Sequence, residues 1–441
     1  MPASALAVPR TGQRLFVLAL LLLFAVVAAQ YTYKIKDNLH RSAFLRWREQ
    51  ILQLESVDIY RAYQYPNPPI MALMLRPLAE LEPLTGALLW FFLKVSMALL
   101  SLAAVFRLVE TEAMPFPPWA KALAAVLSLP PLIGDLAHGN INILILFLTI
   151  AALYAWRRGY DLLAGIVLAL AICCKVTPAL FVPYFLWKRQ WRLVAGCGVG
   201  LGLFLFELPG AALGWHENLS RLESWANQMV VPFVVHGVVT TEHPNQSLPG
   251  VVHRLLTHSP SFCAYPNDVY TPTQYHNFAD IGKEGARWMI RGTQLLFTIL
   301  VLLVCRASTK SRGGWHLATE FAIVLVGMLL FSERTWKHHS VTLMLPLAVL
   351  VYALAVLPLS RKLRVGVIAA LALSGILMLS AGSLLSVRAA DLAQVYGAYT
   401  WAYLLLLGAL AACGLAAQDR FCTARMSLCT AMRRKPQLID P

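Results

Sequence analysis

Charged side chains are scarce in this 441-residue sequence. They make up 13% of it, against about a quarter of an average soluble domain. With 58% hydrophobic residues, that scarcity excludes an ordinary soluble enzyme. Carboxylates are fewer still, 22 Asp and Glu against 37 Lys and Arg, so any carboxylate placed for chemistry stands out. The glycine-rich fingerprint of dinucleotide-binding folds is missing. The eight cysteines form no CxxC pair and no Cys/His metal spacing. Cys173, Cys174, Cys197, Cys305 and Cys413 lie in or beside apolar runs, Cys422 and Cys429 lie near the C-terminus, and Cys263 sits in a long polar segment. Neither a disulfide framework nor a zinc site is expected.

What the sequence does contain is apolar runs of membrane-spanning length, which needs about 20 residues. They fall at 15–30, 84–106, 119–133, 140–156, 162–174, 179–187, 193–213, 288–305, 317–331, 340–357, 365–385 and 398–417. The expectation is an all-α polytopic membrane protein of about 11–13 transmembrane helices. It forms one transmembrane domain over 1–417, followed by a basic cytoplasmic tail at 418–441. The first run lacks a small-x-small cleavage pattern and reads as an uncleaved helix. The two short runs flanking Lys175-Val176-Thr177-Pro178 read as a helix pair meeting at a break, and 69–79 as a re-entrant piece. The net charge of +15 reflects basic turns between spans rather than nucleic-acid binding.

Those basic turns set an orientation. Arg157-Arg158, then Lys188, Arg189 and Arg192, then Arg306, Lys310 and Arg312, then Arg361, Lys362 and Arg364 occupy alternate connections. The positive-inside rule places them, and both termini, in the cytoplasm. The connections left outside are 31–69, 134–139, 175–178, 214–287, 332–339 and 388–397. The first of these is itself basic, but long loops follow the rule weakly. It is also rich in aromatics, and Ile51, Leu52 and Leu54 among its charges suggest an amphipathic helix at the membrane surface. Nearly every unusual polar residue falls on this outer side, which predicts one polar cavity open to the exterior at membrane depth.

Each candidate has a plain and a chemical reading. The turn Gly134–Asn142 is either a tight connection in which Asn140 caps the next helix, or a helix start whose free N–H groups, with Asn140 and Asn142, face an anion. Lys175 either snorkels to the interface or supplies a point charge for a phosphate. In the long loop, Asn245 and Gln246 suit sugar hydroxyls and Arg254 suits phosphate, while the rest reads as solvated loop with Ser247 as a helix cap. His338 and His339 open a helix at the membrane edge. No third ligand accompanies them, so donor contact is favoured over a metal. Asp37 and Asp58 are the carboxylates of the first outer loop, and each is either a solvated charge or a general base.

Taken in order, Tyr65-x-x-Pro68-Pro69, Gly139-Asn140-x-Asn142, Arg157-Arg158-Gly159 with Leu163-Ala164-Gly165, Lys175-x-x-Pro178, Asn245-Gln246-Ser247-Leu248 and Trp336-x-His338-His339 form a set. With it the chain resembles glycosyltransferase family 87, mannosyltransferase-like membrane enzymes of the GT-C superfamily. The resemblance covers roughly 31–339. It implies a GT-C-like bundle and a polyprenyl-phosphate sugar donor, commonly mannose. It also implies transfer to a lipid or glycan acceptor on the external or periplasmic face of the cell membrane, and a catalytic aspartate in the first outer loop, which Asp37 matches best. No further cofactor is implied. Two positions depart from the family pattern: Gly139-Asn140 stands where Gly-Gln is usual, and Ser332-Glu333-Arg334-Thr335-Trp336 where Ser-Pro-x-Ser-Trp is usual. A single base suits an inverting, metal-independent displacement, with Lys175, Arg254 and His338 available to the departing phosphate. A transporter or flippase is the competing class. It would also hold a polar cavity, but no internal repeat of the kind such proteins carry is evident.

Overall fold

The computed structural model describes residues 10–433 apart from 267–268, 311 and 383–385. Helix α1, Arg10–Asp37, has 28 residues, about 42 Å at 1.5 Å per residue. That exceeds an apolar membrane core of about 30 Å. The connection to the next span is ordered as three further helices: α2, Ala43–Ile51, α3, Ile59–Tyr63, and α4, Pro69–Ala79. They fold because α2 turns Phe44, Leu45 and Ile51 inward, where Leu54, Ile59, Tyr60 and Tyr65 join them. Leu52 stays exposed. Asp58 caps α3 and Gln64 ends it in the left-handed region. At eleven residues, α4 is too short to cross a membrane.

Next come α5, Pro83–Val109, α6, Pro118–His138, α7, Asn142–Arg157, and α8, Asp161–Cys174. Eight helices among the described residues are long and apolar enough to span: Leu15–Asp37, Pro83–Val109, Pro118–His138, Trp191–Leu213, Gly282–Val304, Lys337–Val356, Arg361–Ser380 and Ala398–Ala416. Four shorter apolar helices, α4, α7, α8 and Trp315–Leu330, add to them. The protein is therefore a multi-pass membrane protein. Lys337–Val356 is its centre, with 78% of its apolar window buried, whereas Gly282–Val304 is peripheral at 11%.

The break after α8 occurs as expected. Lys175 ends the helix in extended conformation, and a 3-10 turn at Thr177–Leu180 leads into Phe181–Trp187. The helix starting at Trp191 then packs back on α8 through glycines. A Cβ on Gly165 would meet the Leu193 carbonyl, and one on Gly196 the Leu162 carbonyl. Small residues let helix backbones approach in lipid.

Among the described residues the mostly helical fold carries one pair of strands. Within 214–287, strands β1, Pro260–Ala264, and β2, Thr271–Tyr275, form an antiparallel hairpin. The spanning helix that follows begins at Gly282, inside the segment expected to be loop. The last helix runs to Arg433; the remainder of the expected tail, 434–441, lies outside the described residues.

The connections sort into two groups. Lys34 Nζ donates to the Ala137 carbonyl (2.9 Å), Asn140 to His338 (3.0 Å), Lys175 to Asn142 (2.7 Å), and Asn245 to the Glu333 carbonyl (2.9 Å). These bonds tie 31–69, the α6–α7 turn, 175–178, 214–287 and 332–339 together at one end. At the other end Lys188 meets the Ala307 carbonyl and Glu320, Arg312 pairs with Asp161, and Arg157 reaches the Glu110 carbonyl.

Candidate active site: a cationic cleft beside a hydrogen-bonded knot

The α6–α7 turn is shaped by Gly139 at φ +66°, where a Cβ would collide with the Ser42 hydroxyl. Its tight path brings three polar side chains together. Asn140 bonds its own neighbour, accepting from the Ile141 N–H (2.7 Å), and donates Nδ2 to His338 Nε2 (3.0 Å). His338 also stacks on His138, with ring centroids 4.8 Å apart. Asn142, in the first turn of α7, donates to Asp135 Oδ1 (3.0 Å) and accepts from Lys175 Nζ (2.7 Å). Asn140 therefore does not cap α7 as expected: the capping position is Ile141, and no side chain there bonds the helix start.

Lys175, Asn142, Thr177, Ser332, Thr335 and His339 line a small, partly open cleft together with the apolar Ile145, Met328 and Leu329. His339 is oriented by the Trp336 N–H, which donates to Nδ1 (3.3 Å). The half-buried Lys175 makes one hydrogen bond, to Asn142. Desolvation pushes its ammonium down to about 8, against the pull of Asp135 and Glu333. Glu333 has a solvent-shielded Oε2 without a hydrogen-bond partner. Burial pushes its carboxyl up to about 7, against the opposing charges of Arg334 and Lys175. The cleft is thus a cationic, partly desolvated pocket with a partly apolar lining. Such a pocket suits an anionic group attached to an apolar chain.

The other three loop candidates are used differently. All three nitrogens of the fully buried Arg254 donate to main-chain carbonyls: Nε to Val395 (2.8 Å), Nη2 to Gln394 (3.1 Å), and Nη1 to Thr241, Glu242 and Asn245 (2.9–3.1 Å). Asn245 donates to the Thr240 and Glu333 carbonyls and accepts from the Ser247 and Thr335 N–H groups. Gln246 donates to the His243 and Gln394 carbonyls and accepts from the Tyr399 N–H. The phosphate contact expected of Arg254 and the sugar contacts expected of Asn245 and Gln246 have no counterpart in this geometry, in which their polar atoms tie the long loop to 332–336 and 394–399. Tyr65 is also fully buried; its ring meets Tyr60 edge-on at 6.1 Å and its hydroxyl has no hydrogen-bond partner. It is not among the cleft-lining residues.

The two aspartates separate clearly. Asp58 accepts from the N–H groups of Tyr60 and Arg61 and from the Ser224 hydroxyl (2.6 Å), and Arg61 and Arg221 lie at 3.3 and 3.7 Å. Burial raises its carboxyl pKa, but Ser224, the two N–H groups and Arg221 outweigh that and hold it below the usual range. Asp37 is exposed and pairs with Arg41, one turn on (2.8 Å). It lies one helical turn past Lys34, whose ammonium sits on the carbonyl next to His138.

Residues 65–332 match the sequence model of glycosyltransferase family 87. The chain belongs to that family. Two similar proteins are named polyprenol-phosphate-mannose-dependent alpha-(1-2)-phosphatidylinositol mannoside mannosyltransferase. The one from Mycolicibacterium smegmatis (strain ATCC 700084 / mc(2)155) is 26% identical over 313 residues, 66% of this chain and 62% of that protein. The one from Mycobacterium tuberculosis (strain ATCC 25618 / H37Rv) is 24% identical over 409 residues, 85% of each. The chain thus spans 62% of the length of the first. The family match takes in Lys175 and the α6–α7 turn; Asp37 and Asp58 precede it, and His338 and His339 follow it.

Sequence reasoning missed two parts of this family 87 site. Lys94, on α5, is fully buried and donates to the Asp135 carbonyl (2.9 Å), with Asp135 Oδ2 at 3.4 Å. A lone lysine within a long apolar run was its signal. Arg221 and Ser224, which hold Asp58, carried no signal in the sequence. Among the described residues no group of three or more His, Cys, Asp or Glu is arranged to hold a metal ion.

Proposed function

We propose that this family 87 protein transfers a sugar, mannose in the first instance, from a polyprenyl-phosphate donor to a lipid or glycan hydroxyl at the external face of the cell membrane. The observation that carries this reading is Lys175. Its ammonium makes one hydrogen bond among the described residues and lines a cleft that is partly apolar, where the remaining ammonium protons can meet the donor phosphate. The names of the two relatives support the donor and make a phosphatidylinositol mannoside the first acceptor to try. The two ends of the bundle support the orientation: the end with the basic turns faces the cytoplasm, as do both termini, and the cleft opens outward.

In this reaction Asp37 takes the proton of the acceptor hydroxyl. The acceptor oxygen bonds to the sugar's anomeric carbon as the bond to the phosphate oxygen breaks. The leaving polyprenyl phosphate keeps the electron pair, beside Lys175 and within reach of His338 or His339. One base and one displacement give inversion. Asp37 is preferred to Asp58 because Asp58 is fully engaged in holding α3 to Ser224 and Arg221.

The test is purified protein in proteoliposomes with radiolabelled polyprenyl-phosphate mannose and phosphatidylinositol mannoside. Label appearing in the acceptor lipid with release of polyprenyl phosphate supports the reading. Intact donor moved between leaflets without transfer would replace it with a flippase.

A further inference from the structure

We infer that Lys94 and Asp135 are a positioning pair that sets the direction of the Asn142 amide and so holds Lys175 toward the cleft. Both side chains are fully buried. A buried ion pair generally adds little stability over apolar residues of similar size, so its presence in a spanning helix asks for another role. The hydrogen bonds supply one. Lys94 Nζ holds the Asp135 carbonyl at 2.9 Å and lies 3.4 Å from Oδ2. That leaves Oδ1 to accept from Asn142 Nδ2 at 3.0 Å. A carboxylate only accepts, so the amide must present its NH₂ to Asp135. Its oxygen then faces the other way, where it accepts from Lys175 Nζ at 2.7 Å. Turned over, the same amide would set an NH₂ group against an ammonium, two donors with nothing to share. Lys94 does not contact substrate itself, since it is closed off from the cleft and its hydrogen bonds go to Asp135.

The inference rests on Lys175 as the donor-phosphate contact. It is tested with two charge-free pairs of substitutions, reading donor KM and kcat separately with polyprenyl-phosphate mannose. Lys94→Gln with Asp135→Asn keeps an acceptor for the Asn142 amide, and donor KM should stay within about twofold of wild type. Lys94→Met with Asp135→Leu removes that acceptor without leaving a buried charge, and donor KM should rise at least about tenfold, the loss of one hydrogen bond to an ionised group. Introduced together with Lys175→Met, the second pair should add nothing, because both break one chain of contacts. Asn142→Leu interrupts the same chain with no change at the ion pair. It should match Lys175→Met in donor KM, which keeps the test intact if the apolar pair fails to fold. Equal KM increases in both pairs, or a full further increase on top of Lys175→Met, would make the pair structural only. If Lys175→Met alone leaves donor KM unchanged, the phosphate assignment fails first and independently.

Discussion

Lys175 and Arg254 look alike in the sequence: each is a cation in or after a connection expected on the outer side, and each suits a phosphate. The structure separates them by what their donors do. Arg254 has every nitrogen on a main-chain carbonyl and acts as the centre of a knot joining 241–246 to 394–395. Lys175 has one hydrogen bond and faces a cleft. A buried arginine with carbonyls around its fork holds the fold together; a lysine with unengaged donors at a cavity is free to meet a charged ligand. Location alone could not distinguish them, because both sit at the same end of the bundle.

That contrast can be broken or sharpened in four ways. The largest effect should come from the proposed base. Asp37→Asn removes the base, and turnover should fall about 10²–10⁴-fold while donor affinity survives; near-wild-type transfer would reject Asp37, and a dead Asp58→Asn in its place would move the base to the α3 cap. On the knot side, Arg254→Met strands its carbonyl partners and should lower stability by on the order of 3 kcal/mol or more, read as thermal unfolding in detergent. An unaltered melting curve would dissolve the knot. On the cleft side, Lys175→Met should leave melting almost unchanged and weaken donor binding by about 1.5–3 kcal/mol. The smallest effect concerns Glu333. Its carboxyl is raised from 4.5 to about 7, so the fold prefers it neutral. The cost of ionising it is absent below about pH 4.5, grows as pH rises, and is complete above about pH 7. Glu333→Gln should therefore match wild type at pH 4.5 and be more stable at pH 8, by less than the roughly 3 kcal/mol of the full shift because solvent at the cleft screens the charge. A stability gap that shrinks with rising pH would reverse the sign and reject the assignment.

Much of the architecture was legible because lipid leaves few options. Apolar length marks spans, and the break at Lys175-Val176-Thr177-Pro178 appears where the sequence put it. The gathering at one end of connections expected to share a side was legible too, through the placement of Asn140, Lys175 and His338. The hairpin at 260–275 was not, since its strand pairing is a property of the folded loop rather than of any periodic pattern. Nor was the division between Arg254 and Lys175, because hydrogen-bond partners from 140 residues away, such as Gln394, leave no trace near Arg254. Lys94 was legible in principle, as one charge in an apolar helix, but its partner Asp135 lies 41 positions on.

The account turns on which cation holds the donor. Direct binding of polyprenyl-phosphate mannose to purified Lys175→Met and Arg254→Lys, measured side by side at a temperature where circular dichroism shows both folded, decides it. The account predicts at least about a tenfold loss of affinity for Lys175→Met and wild-type affinity for Arg254→Lys. The reverse pattern, with Arg254→Lys losing donor and Lys175→Met keeping it, would contradict it.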